Sequence, residues 1–512
     1  MLKKKFIETK GITLVALVIT IVVLLLLSAV AIQIATGNFN TTEKAVKEYE
    51  RSQADEEIET IKFAASVNEE AKINKNQLID ELHKLGVEDG DISDSGTEIK
   101  VNYKGKTYTI PYDKKLISVK VALYDYINEE NVDTVSLKLL ETTPLNESTV
   151  KMPEGYVLYS NHDSSIENPT VVIENEKADK SEYTLNVCKE TDDGEVLIKN
   201  PTGLKNIQKK LDDKYALDND IDLGSANWIP LGKVDDKIYF SGSFNGRGYT
   251  ISNLASDFSS NRNIGFVEVN SGTIKNLNIT SATVKAASVV GIICGNNMDG
   301  ATIENCHVSG SVTSTSTNMS TAGAAGGIAG SNSGTISRCG AQGIYNGYKW
   351  IGGITGKNFG SISESYFIGG VNSNVSTSEI RDWFSNETTN MYQNIGGIAG
   401  GNTGSIESSY AILKNLIKGA TVVGGICGWC KGGSLDNIYV ANADNIVGLK
   451  ADETSADVGY IAGGVYPTYS NLYAYDTTST GLTGLPSGLS SSVWKMNGST
   501  YSSCPDLINN PR

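Results

Sequence analysis

The chain has 512 residues, 53 of them glycine, and a formal net charge of -15, and a chain of this length is expected to form two to four structural units. The negative charge argues against a nucleic-acid partner, because phosphate binding requires clustered lysines and arginines. Seven cysteines and three histidines are too few and too scattered for a disulfide framework or a metal centre. No cofactor and no metal ligand is therefore predicted.

The N-terminal segment combines a basic flank with a long apolar run. Residues 1–11 contain four lysines, and no residue from Ile12 to Ile32 is charged. A helix of about 20 residues spans a bilayer core of about 30 Å. The pattern predicts a transmembrane helix over 12–34, with the N-terminus inside and the C-terminus outside the cell. A cleaved secretory signal peptide would have a shorter apolar region, whereas a plain signal anchor fits the hydropathy equally well.

The junction from Lys10 to Leu17 reads KGITLVAL and is more specific. It resembles the type IV prepilin signal, a short basic leader ending in glycine before an uninterrupted apolar helix. The resemblance covers roughly residues 5–35. It implies a leader over 1–11, cleavage between Gly11 and Ile12 by a prepilin peptidase, and N-methylation of Ile12. Major pilins usually carry a glutamate where Ala16 stands here, so the departure favours a minor or tip subunit, or a protein that stays in the membrane.

Three regions follow the membrane segment. Residues 35–86 lack proline after the membrane helix and are predicted to form a stalk helix. Residues 87–115 form a small pilin-like β-hairpin region, in which strands alternate around the turn Lys104-Gly105. Residues 116–198 contain several short strand patterns and are predicted to form a β-sandwich-like module.

The second half of the chain contains internal repeats. A unit of the form Gly-(Gly/Ile)-Ile-x-Gly-x-Asn-x-Gly-x-Ile recurs with variations, and its first glycines are at 265, 291, 326, 352, 396, 424 and 459. Repeated short strands that each bury one apolar face predict a solenoid. We expect a right-handed parallel β-helix over 199–475, with asparagines stacked in amide ladders at the corners. Residues 476–512 are predicted to cap its last coil.

These units resemble the GLUG-motif repeats of bacterial surface proteins, some of which are adhesin-like. The segment 199–254, with the stretches YALDNDIDL and FSGSFNGRGYTISNL, resembles the opening coil that precedes such repeats. The resemblance covers about 265–475 together with this opening coil. It implies a β-helical fold and a surface location, and it identifies no ligand.

Two motifs suggest chemistry that the repeat context disfavours. Cys427-Gly-Trp-Cys430 has the CxxC spacing of redox proteins, but Cys427 occupies the small-residue position of its repeat, so a packed side chain is the favoured interpretation. Asp218, Asp220 and Asp222 are spaced like part of a calcium loop, but the glycine and final glutamate of an EF-hand are missing. A capping turn is favoured there.

A β-helical enzyme that acts on polysaccharides would need convergent carboxylates. The acids Glu304, Glu364 and Glu407 occupy slots of mixed charge and are expected on well-separated coils. No catalytic residue is therefore predicted, and the protein is interpreted as not an enzyme. Polysaccharide-directed catalysis remains an alternative hypothesis.

The two longest insertions between repeats lie near 309–325 and 371–394. Aromatic and arginine side chains in or near the second insertion are candidate contacts to a glycan or protein ligand, although they could equally anchor the loop. These candidates are Tyr348, Trp350, Arg381, Trp383, Phe384 and Tyr392.

The favoured hypothesis is a non-enzymatic minor or tip subunit of a type IV pilus-like or pseudopilus-like filament, located at the cell membrane and cell surface. Its predicted partners are prepilin peptidase, other pilin or pseudopilin subunits, the membrane, and a host or surface glycan or protein. An uncleaved, membrane-anchored structural protein is the remaining alternative.

Overall fold

The computed structural model describes residues 53–65 except 63, 73–112, 115–258 except 225, 263–316, 323–374, and 393–448 with gaps at 416, 420–421 and 443–444. Beyond these it describes strands within 457–475 and two strands near the C-terminus. The predicted leader and the helix over 12–34, with Gly11, Ile12 and Ala16, lie outside the described residues. Within those residues no helix is long and apolar enough to cross a membrane.

The chain forms two compact units. The first comprises Met1–Ala122, Thr134–Lys151 and Asn168–Thr184, and the second comprises Leu123–Asp133, Met152–Glu167 and Leu185–Arg512.

The first unit packs helical residues on a three-stranded antiparallel sheet. Residues 53–62 are helical, and a second helix spans Lys75–Lys84. The second helix begins after Asn74, whose side chain accepts hydrogen bonds from the backbone N–H groups of Asn76 and Gln77 at 3.0 and 3.1 Å. The sheet consists of Ile92–Asp94, Glu98–Tyr103 and Lys106–Pro111. The buried apolar side chains include those of Ile58, Leu78, Leu82, Ile99, Val101 and Ile110.

The predicted hairpin is present in this sheet. Lys104 and Gly105 both have positive φ, 47° and 76°, as a two-residue turn that matches the twist of the strands requires. Residues 116–198 form one four-stranded sheet with the order Glu130–Leu139, Ile117–Asp125, Glu182–Lys189, Tyr156–Leu158. The same region has two two-stranded sheets, which pair Thr143–Pro144 with Thr170–Val171 and Ile173–Glu174 with Lys177–Ala178. A β-sandwich-like arrangement of this region stays a prediction.

Short helices connect several of these strands. One α-helix spans Pro201–Asn206, and 3-10 turns span Asp89–Asp91, Tyr159–Asn161, Ile207–Lys209 and Val234–Asp236. Near the C-terminus, Trp494–Met496 pairs in antiparallel fashion with Pro505–Leu507.

The second unit is a parallel β-solenoid of about seven turns, which confirms the predicted repeat architecture; its handedness stays a prediction. Three sheets run along it. The five-stranded sheet contains Ala324–Ala325, Trp350–Gly352, Asn394–Gly396, Val422–Gly424 and Asp457–Gly459. The seven-stranded sheet contains Val267–Asn270, Cys294–Asn297, Ala329–Asn332, Thr355–Asn358, Ala399–Asn402, Cys427–Cys430 and Ala462–Gly464.

The third sheet has 19 strands, because each later coil contributes two successive segments to it. Its strands are Val196–Ile198, Lys214–Leu217, Ile221–Asp222, Ser243–Asn245, Thr250–Ser252, Ala255–Phe258, Thr273–Lys275, Asn278–Ala286, Thr302–Glu304, His307–Ser314, Thr335–Ser337, Gly340–Gly347, Ser361–Ser363, Tyr366–Ser373, Ser405–Ile412, Ile417–Gly419, Ser434–Ala441, Ile446–Gly448 and Thr468–Tyr475.

Parallel pairing advances by one repeat at each step. The inward position of the third sheet is therefore occupied in turn by apolar residues that stack along the axis, namely Phe244, Ile274, Ile303, Ile336, Ile362, Ile406 and Leu435. All of these side chains are fully buried. Stacking thus builds a continuous core that a single coil could not form.

The repeat glycines are fixed by lack of space between coils. A Cβ on Gly353 would lie 2.1 Å from both the Gly397 carbonyl oxygen and the Phe367 ring. A Cβ on the corner glycine Gly360 would lie 2.0 Å from the Gly334 carbonyl oxygen. Real Cβ atoms do not approach backbone so closely, so glycine is required wherever one coil crosses directly over the next.

A buried ladder of asparagine side chains runs along one corner, as predicted. Each side-chain amide donates to the amide oxygen of the asparagine in the next coil, at 2.7–2.8 Å from nitrogen to oxygen. At the end of the ladder the Asn402 amide donates to Cys430 Sγ at 3.4 Å. Because buried amides are costly without partners, the ladder holds successive coils in register. Its members are Asn270, Asn297, Asn332, Asn358 and Asn402.

The first strand of the solenoid, Val196–Ile198, is closed by residues from earlier in the chain. The buried side chain of Asn128 donates to the Leu197 carbonyl at 2.9 Å and accepts from the Lys199 backbone N–H at 3.0 Å. Asp125 in turn accepts from the Asn128 backbone N–H at 2.9 Å. These bonds pair backbone groups at the first edge of the solenoid sheet. Without them, this edge could form hydrogen bonds with a strand of another chain.

Candidate binding surface

One row of side chains on the outside of the seven-stranded sheet runs along the solenoid. The third residue of each strand occupies this row, and parallel pairing places Lys357 beside Gly401 and Gly401 beside Trp429 on consecutive coils. Lys357 and Trp429 are partly exposed, whereas the residues that directly follow them, Asn358 and Cys430, are buried. Alternation along each strand therefore directs this position to solvent.

Trp350 extends this row from the adjacent five-stranded sheet. A Cβ on Gly401 would lie 2.4 Å from Cζ3 of Trp350, so the indole occupies the surface space that this glycine leaves free. The ring of Trp429 meets it edge to face, with ring centroids 5.9 Å apart and planes inclined by 72°. Lys357 and Trp350 belong to the same coil, the Trp350 indole lies over Gly401 of the next coil, and Trp429 belongs to the coil after that.

Two ammonium groups flank the Trp350 indole. Lys357 Nζ lies 5.5 Å and Lys349 Nζ 6.0 Å from the ring centroid, within the range of cation–π attraction. We call Trp350, Trp429, Lys349 and Lys357 the tryptophan–lysine surface. Burial lowers the pKa of Lys349. Burial also lowers the pKa of Lys357, and the neighbouring charge of Lys349 lowers it further.

The charges around this surface are mixed. The stretches 326–374 and 393–441 together carry six basic and three acidic residues, and the insertion 375–392 between them adds one basic and three acidic residues. In the strands of the five- and seven-stranded sheets between 324 and 430, Lys357 is the one charged residue. Of the acidic residues that the structure describes in these coils, Glu407 and Asp436 lie in strands of the third sheet and Glu364 lies between two of its strands. Within the described residues, the outer row beside Lys357 contains no carboxylate.

The structure brings part of the sequence-predicted ligand site to this surface. Trp350 belongs to it, whereas the side chain of Tyr348 is buried, with 5% exposure. Arg381, Trp383, Phe384 and Tyr392 lie outside the described residues. The insertion that carries them starts and ends nearby, because Asn374 N donates to the Gly347 carbonyl and Asn394 N to the Lys349 carbonyl, both at 2.7 Å. A role of these six residues in ligand contact stays a prediction.

Sequence reasoning missed Lys349, Lys357 and Trp429 as members of this surface. Trp429 lies inside the CxxC motif, which drew attention to its cysteines instead. An alignment of the repeats on their Gly-Gly-Ile units would have placed Lys357 and Trp429 at the same position of different coils. That register is the sequence signal that could have found them.

The CxxC cysteines are packed in the solenoid. Cys427 is fully buried, and its thiol donates to the Trp429 carbonyl at 3.0 Å. The hydroxyl of Thr355 makes the equivalent bond to the Lys357 carbonyl at 2.9 Å two coils earlier. Burial raises the pKa of Cys427, whereas a hydrogen bond with Cys427 lowers the pKa of Cys430. Both thiols are free, and the shared geometry supports the packed interpretation.

A second stack of small polar side chains contains the two other repeat cysteines. Cys306 and Cys339 are buried and free, as expected of stacked residues. Their thiols donate to backbone carbonyls two residues earlier, at 3.3 and 3.2 Å. Ser365 and Ser409 make the same contact at 2.7 Å in the next two coils. In these four coils the position holds a small side chain that bonds to the backbone, whereas the next coil places Ile438 in register with Ser409. Packing therefore explains the two cysteines without a reactive thiol.

The aspartates of the opening coil act as backbone acceptors. Asp220 accepts from the Thr250 N–H at 2.8 Å, and Asp222 accepts from the Gly224 N–H at 2.8 Å. Asp218 forms an ion pair with Lys189 at 3.3 Å. These contacts support the capping interpretation. No group of three potential metal ligands occurs among the residues that the structure describes.

The expected separation of the repeat acids was wrong. The Glu364 N–H donates to the Glu407 carbonyl at 3.1 Å, so these acids lie on consecutive coils, and Glu407 pairs in register with Asp436 on the next coil. The long insertion between Glu364 and Glu407 increases their separation in sequence, although they lie on consecutive coils. Glu304 differs, since it forms an ion pair with Arg338 on the following coil.

One histidine is held between two carboxylates near the start of the solenoid. His162 Nδ1 lies 3.0 Å from Asp213 Oδ2, and Nε2 lies 3.1 Å from Glu190 Oε2. The hydrogen bond to Asp213 is the largest cause that raises the pKa of His162. With 10% of its side chain exposed, this histidine ties three chain segments together, and we assign it a structural role.

Comparison with known proteins leaves the family open. No protein-family model matches the chain. Halomucin of Haloquadratum walsbyi is 34% identical over 111 residues, which make up 20% of this chain, and the chain spans about 1% of that protein's length.

Two solved structures align with parts of the chain. A Bacteroides ovatus protein assigned as an immunoglobulin A1 protease aligns with a TM-score of 0.41 and 22% identity, over 62% of this chain and 94% of its own. An IgA1 protease aligns with a TM-score of 0.39 and 15% identity, over 76% of this chain and 27% of its own. Likeness at this level carries no argument about activity, which rests on the site itself.

Proposed function

We propose that the protein is a non-enzymatic surface protein whose β-solenoid binds a ligand through the tryptophan–lysine surface. The observation that carries this proposal is the row formed by Lys357, Trp350 and Trp429 across three coils. Partly exposed aromatic rings in mutual contact offer a large contact area at low conformational cost. Stacked coils hold the row rigidly, as a recognition surface requires.

The anchoring part of the proposal rests on the sequence. The prepilin-like junction at Gly11 and Ile12 supports processing by prepilin peptidase and single-pass insertion with the solenoid outside the cell. Alanine at position 16 supports a minor or tip position in a filament made with other pilin or pseudopilin subunits. The ligand would be a host or surface glycan or protein.

Surface display can be tested on intact cells by brief trypsin treatment, followed by mass spectrometry of the released peptides. The proposal expects peptides that end at solenoid lysines and arginines, such as Arg338 and Lys431, to be released while a cytoplasmic marker protein stays intact. Recovery of solenoid peptides only after cell lysis would reject the proposed location.

A polysaccharide-active enzyme is the second candidate, because Glu364, Glu407 and Asp436 lie on neighbouring coils. Pairs of carboxylates perform glycoside hydrolysis when they flank the bond to be cleaved. The full-length chain would be incubated with polysaccharides, and reducing ends would be counted. Release that Glu407→Gln abolishes and Glu304→Gln preserves would establish the enzyme; no release from either protein supports the binding function.

A further inference from the structure

Resting on the proposed function, we infer that the tryptophan–lysine surface binds a linear anionic polysaccharide that lies along the solenoid axis. The surface extends in that direction over three coils, because Lys357 and Trp350 lie on one coil, the Trp350 indole covers Gly401 of the next coil, and Trp429 lies on the third. Neighbouring coils are about 4.8 Å apart. A repeating polymer can therefore contact successive coils with successive units.

The indoles account for the sugar part of the ligand. A pyranose ring presents C–H bonds on one face, and such a face packs on the electron-rich face of an aromatic ring. The Trp350 ring spreads over Gly401, where any larger residue would meet its Cζ3 atom at 2.4 Å or less. The edge-to-face contact at 5.9 Å fixes Trp429 relative to it. Two aromatic platforms with fixed orientation favour a rigid chain of rings over a flexible peptide.

The lysines account for the charge of the ligand. Both ammonium groups lie within about 6 Å of the Trp350 ring centroid, where carboxylate or sulfate groups at the edge of a stacked sugar would reach them. Burial lowers the pKa of Lys357, and the charge of Lys349 lowers it further; a bound anion would offset the repulsion between the two ammonium groups. No acidic residue occurs in the strands that form this surface, between 324 and 430 of the five- and seven-stranded sheets.

The local charge excess distinguishes this ligand from a neutral glycan. An acidic protein repels polyanions in general, so binding of a polyanion requires a local basic region. Lys349 and Lys357 supply it beside the Trp350 ring, at 6.0 and 5.5 Å from its centroid. A neutral glycan would need the indoles and gain nothing from the lysines.

The test compares polygalacturonate with its methyl-esterified form, which has the same sugar backbone without the carboxylate charge. Binding to the full-length chain in detergent is measured by biolayer interferometry. Dextran sulfate and polyglutamate complete the set, the first as a sulfated glycan and the second as a polyanion without sugar rings. Because the carboxylate and sulfate polymers are measured separately, the two sources of negative charge are distinguished.

Two variants test the residues. Lys357→Gln and Trp350→Phe are each expected to weaken binding to the anionic glycan about tenfold, a change of about 1.4 kcal/mol. The matched controls are Lys285→Gln, an exposed lysine paired with Asp257 on an earlier coil, and Phe359→Ala, a ring that is 55% exposed outside the surface. Both controls should stay within about twofold of the wild type. Thermal unfolding of each protein checks that the fold is retained.

The inference expects the esterified polymer and polyglutamate to bind at least about tenfold more weakly than an anionic glycan, and binding to weaken as salt increases. Equal binding of the esterified polymer, equal binding of polyglutamate, unchanged affinity of both variants, or no binding of either anionic glycan overturns it. Trypsin release of the solenoid from intact cells does not depend on these binding results. Failure of polysaccharide binding can therefore be distinguished from failure of the proposed surface location.

Discussion

At the scale of single residues, Asn332 lies in the middle of the buried amide ladder. It accepts from the Asn297 amide and donates to the Asn358 oxygen, both at 2.8 Å. Asn332→Ala leaves one buried donor and one buried acceptor without partners, each at a cost of about 1–3 kcal/mol. We expect a loss of about 2–4 kcal/mol in the free energy of unfolding of the solenoid, measured by urea denaturation of the full-length chain.

The control for this variant is Asn346→Ala. Asn346 is partly buried and makes one long side-chain contact, at 3.4 Å to Asn372. Its replacement should cost less than about 0.5 kcal/mol. If the two variants were equally stable, the ladder would not hold the coils in register.

His162 gives the solenoid a pH-dependent contact. To donate to Asp213 and Glu190 at once, both ring nitrogens must be protonated. Because its folded pKa is raised, the stabilisation is complete below the unfolded value of about 6.5 and is lost as pH rises through the folded pKa. The stability advantage of the wild type over His162→Gln should therefore shrink as pH rises from 6 to 9, measured as the difference in unfolding midpoint.

Asp213→Asn removes the largest cause of the raised pKa of His162. In this variant, the stability difference between His162 and Gln at that position should depend less on pH. An advantage that stays constant or grows from pH 6 to 9 would show that the imidazole is neutral in the folded protein.

At the scale of elements, the reactivity of the thiols in strand Cys427–Cys430 distinguishes a packed CxxC motif from a redox-active one. Its two thiols, and those of Cys188, Cys294, Cys306 and Cys339, are buried, and burial raises the pKa of Cys427. In a Cys504→Ser background we expect iodoacetamide to label these six thiols at least about a hundredfold more slowly in native protein than in urea. Labelling is counted by mass spectrometry of peptides.

The Cys504→Ser background leaves six cysteines, all of them buried in the described part of the chain. Every labelled peptide can therefore be assigned to a buried thiol. Rapid native labelling of Cys430 alone would point to a reactive thiol and revive the redox interpretation of the CxxC motif.

The repeat elements were predictable because each follows from local sterics. Gly353 and Gly360 have no room for a Cβ between coils, and the same restriction recurs in other coils, so the spacing of glycines reveals the coil. Asparagine at the corner was predictable for a similar reason, since an unpaired buried amide is costly and a ladder pairs every member but the last.

Features that depend on register between distant segments were not predictable. The contact between Trp350 and Trp429 joins two sheets and skips a whole coil, and no local pattern announces it. Neighbouring positions of Glu364 and Glu407 were hidden by the insertion between them. The closure of Val196–Ile198 by Asn128 joins segments that differ by about 70 positions, and nothing in the local sequence of Asn128 indicates its partner.

At the scale of the whole molecule, different parts of the chain have different proposed roles. A prepilin-like segment would attach the protein to a membrane or filament, and the solenoid would present a basic aromatic surface on an otherwise acidic protein. The two assignments are physically independent, because binding rests on Trp350, Trp429 and Lys357 and attachment rests on the Gly11–Ile12 junction.

The most direct test of the central claim is the N-terminus of the mature protein, determined by mass spectrometry separately in sheared surface filaments and in membranes. We predict a chain that begins at Ile12, with a methylated amine, in the sheared fraction. A Gly11→Ala variant should be retained at full length in the membrane. An intact Met1 terminus of the wild type, found only in membranes, would contradict prepilin processing and leave an uncleaved, membrane-anchored solenoid.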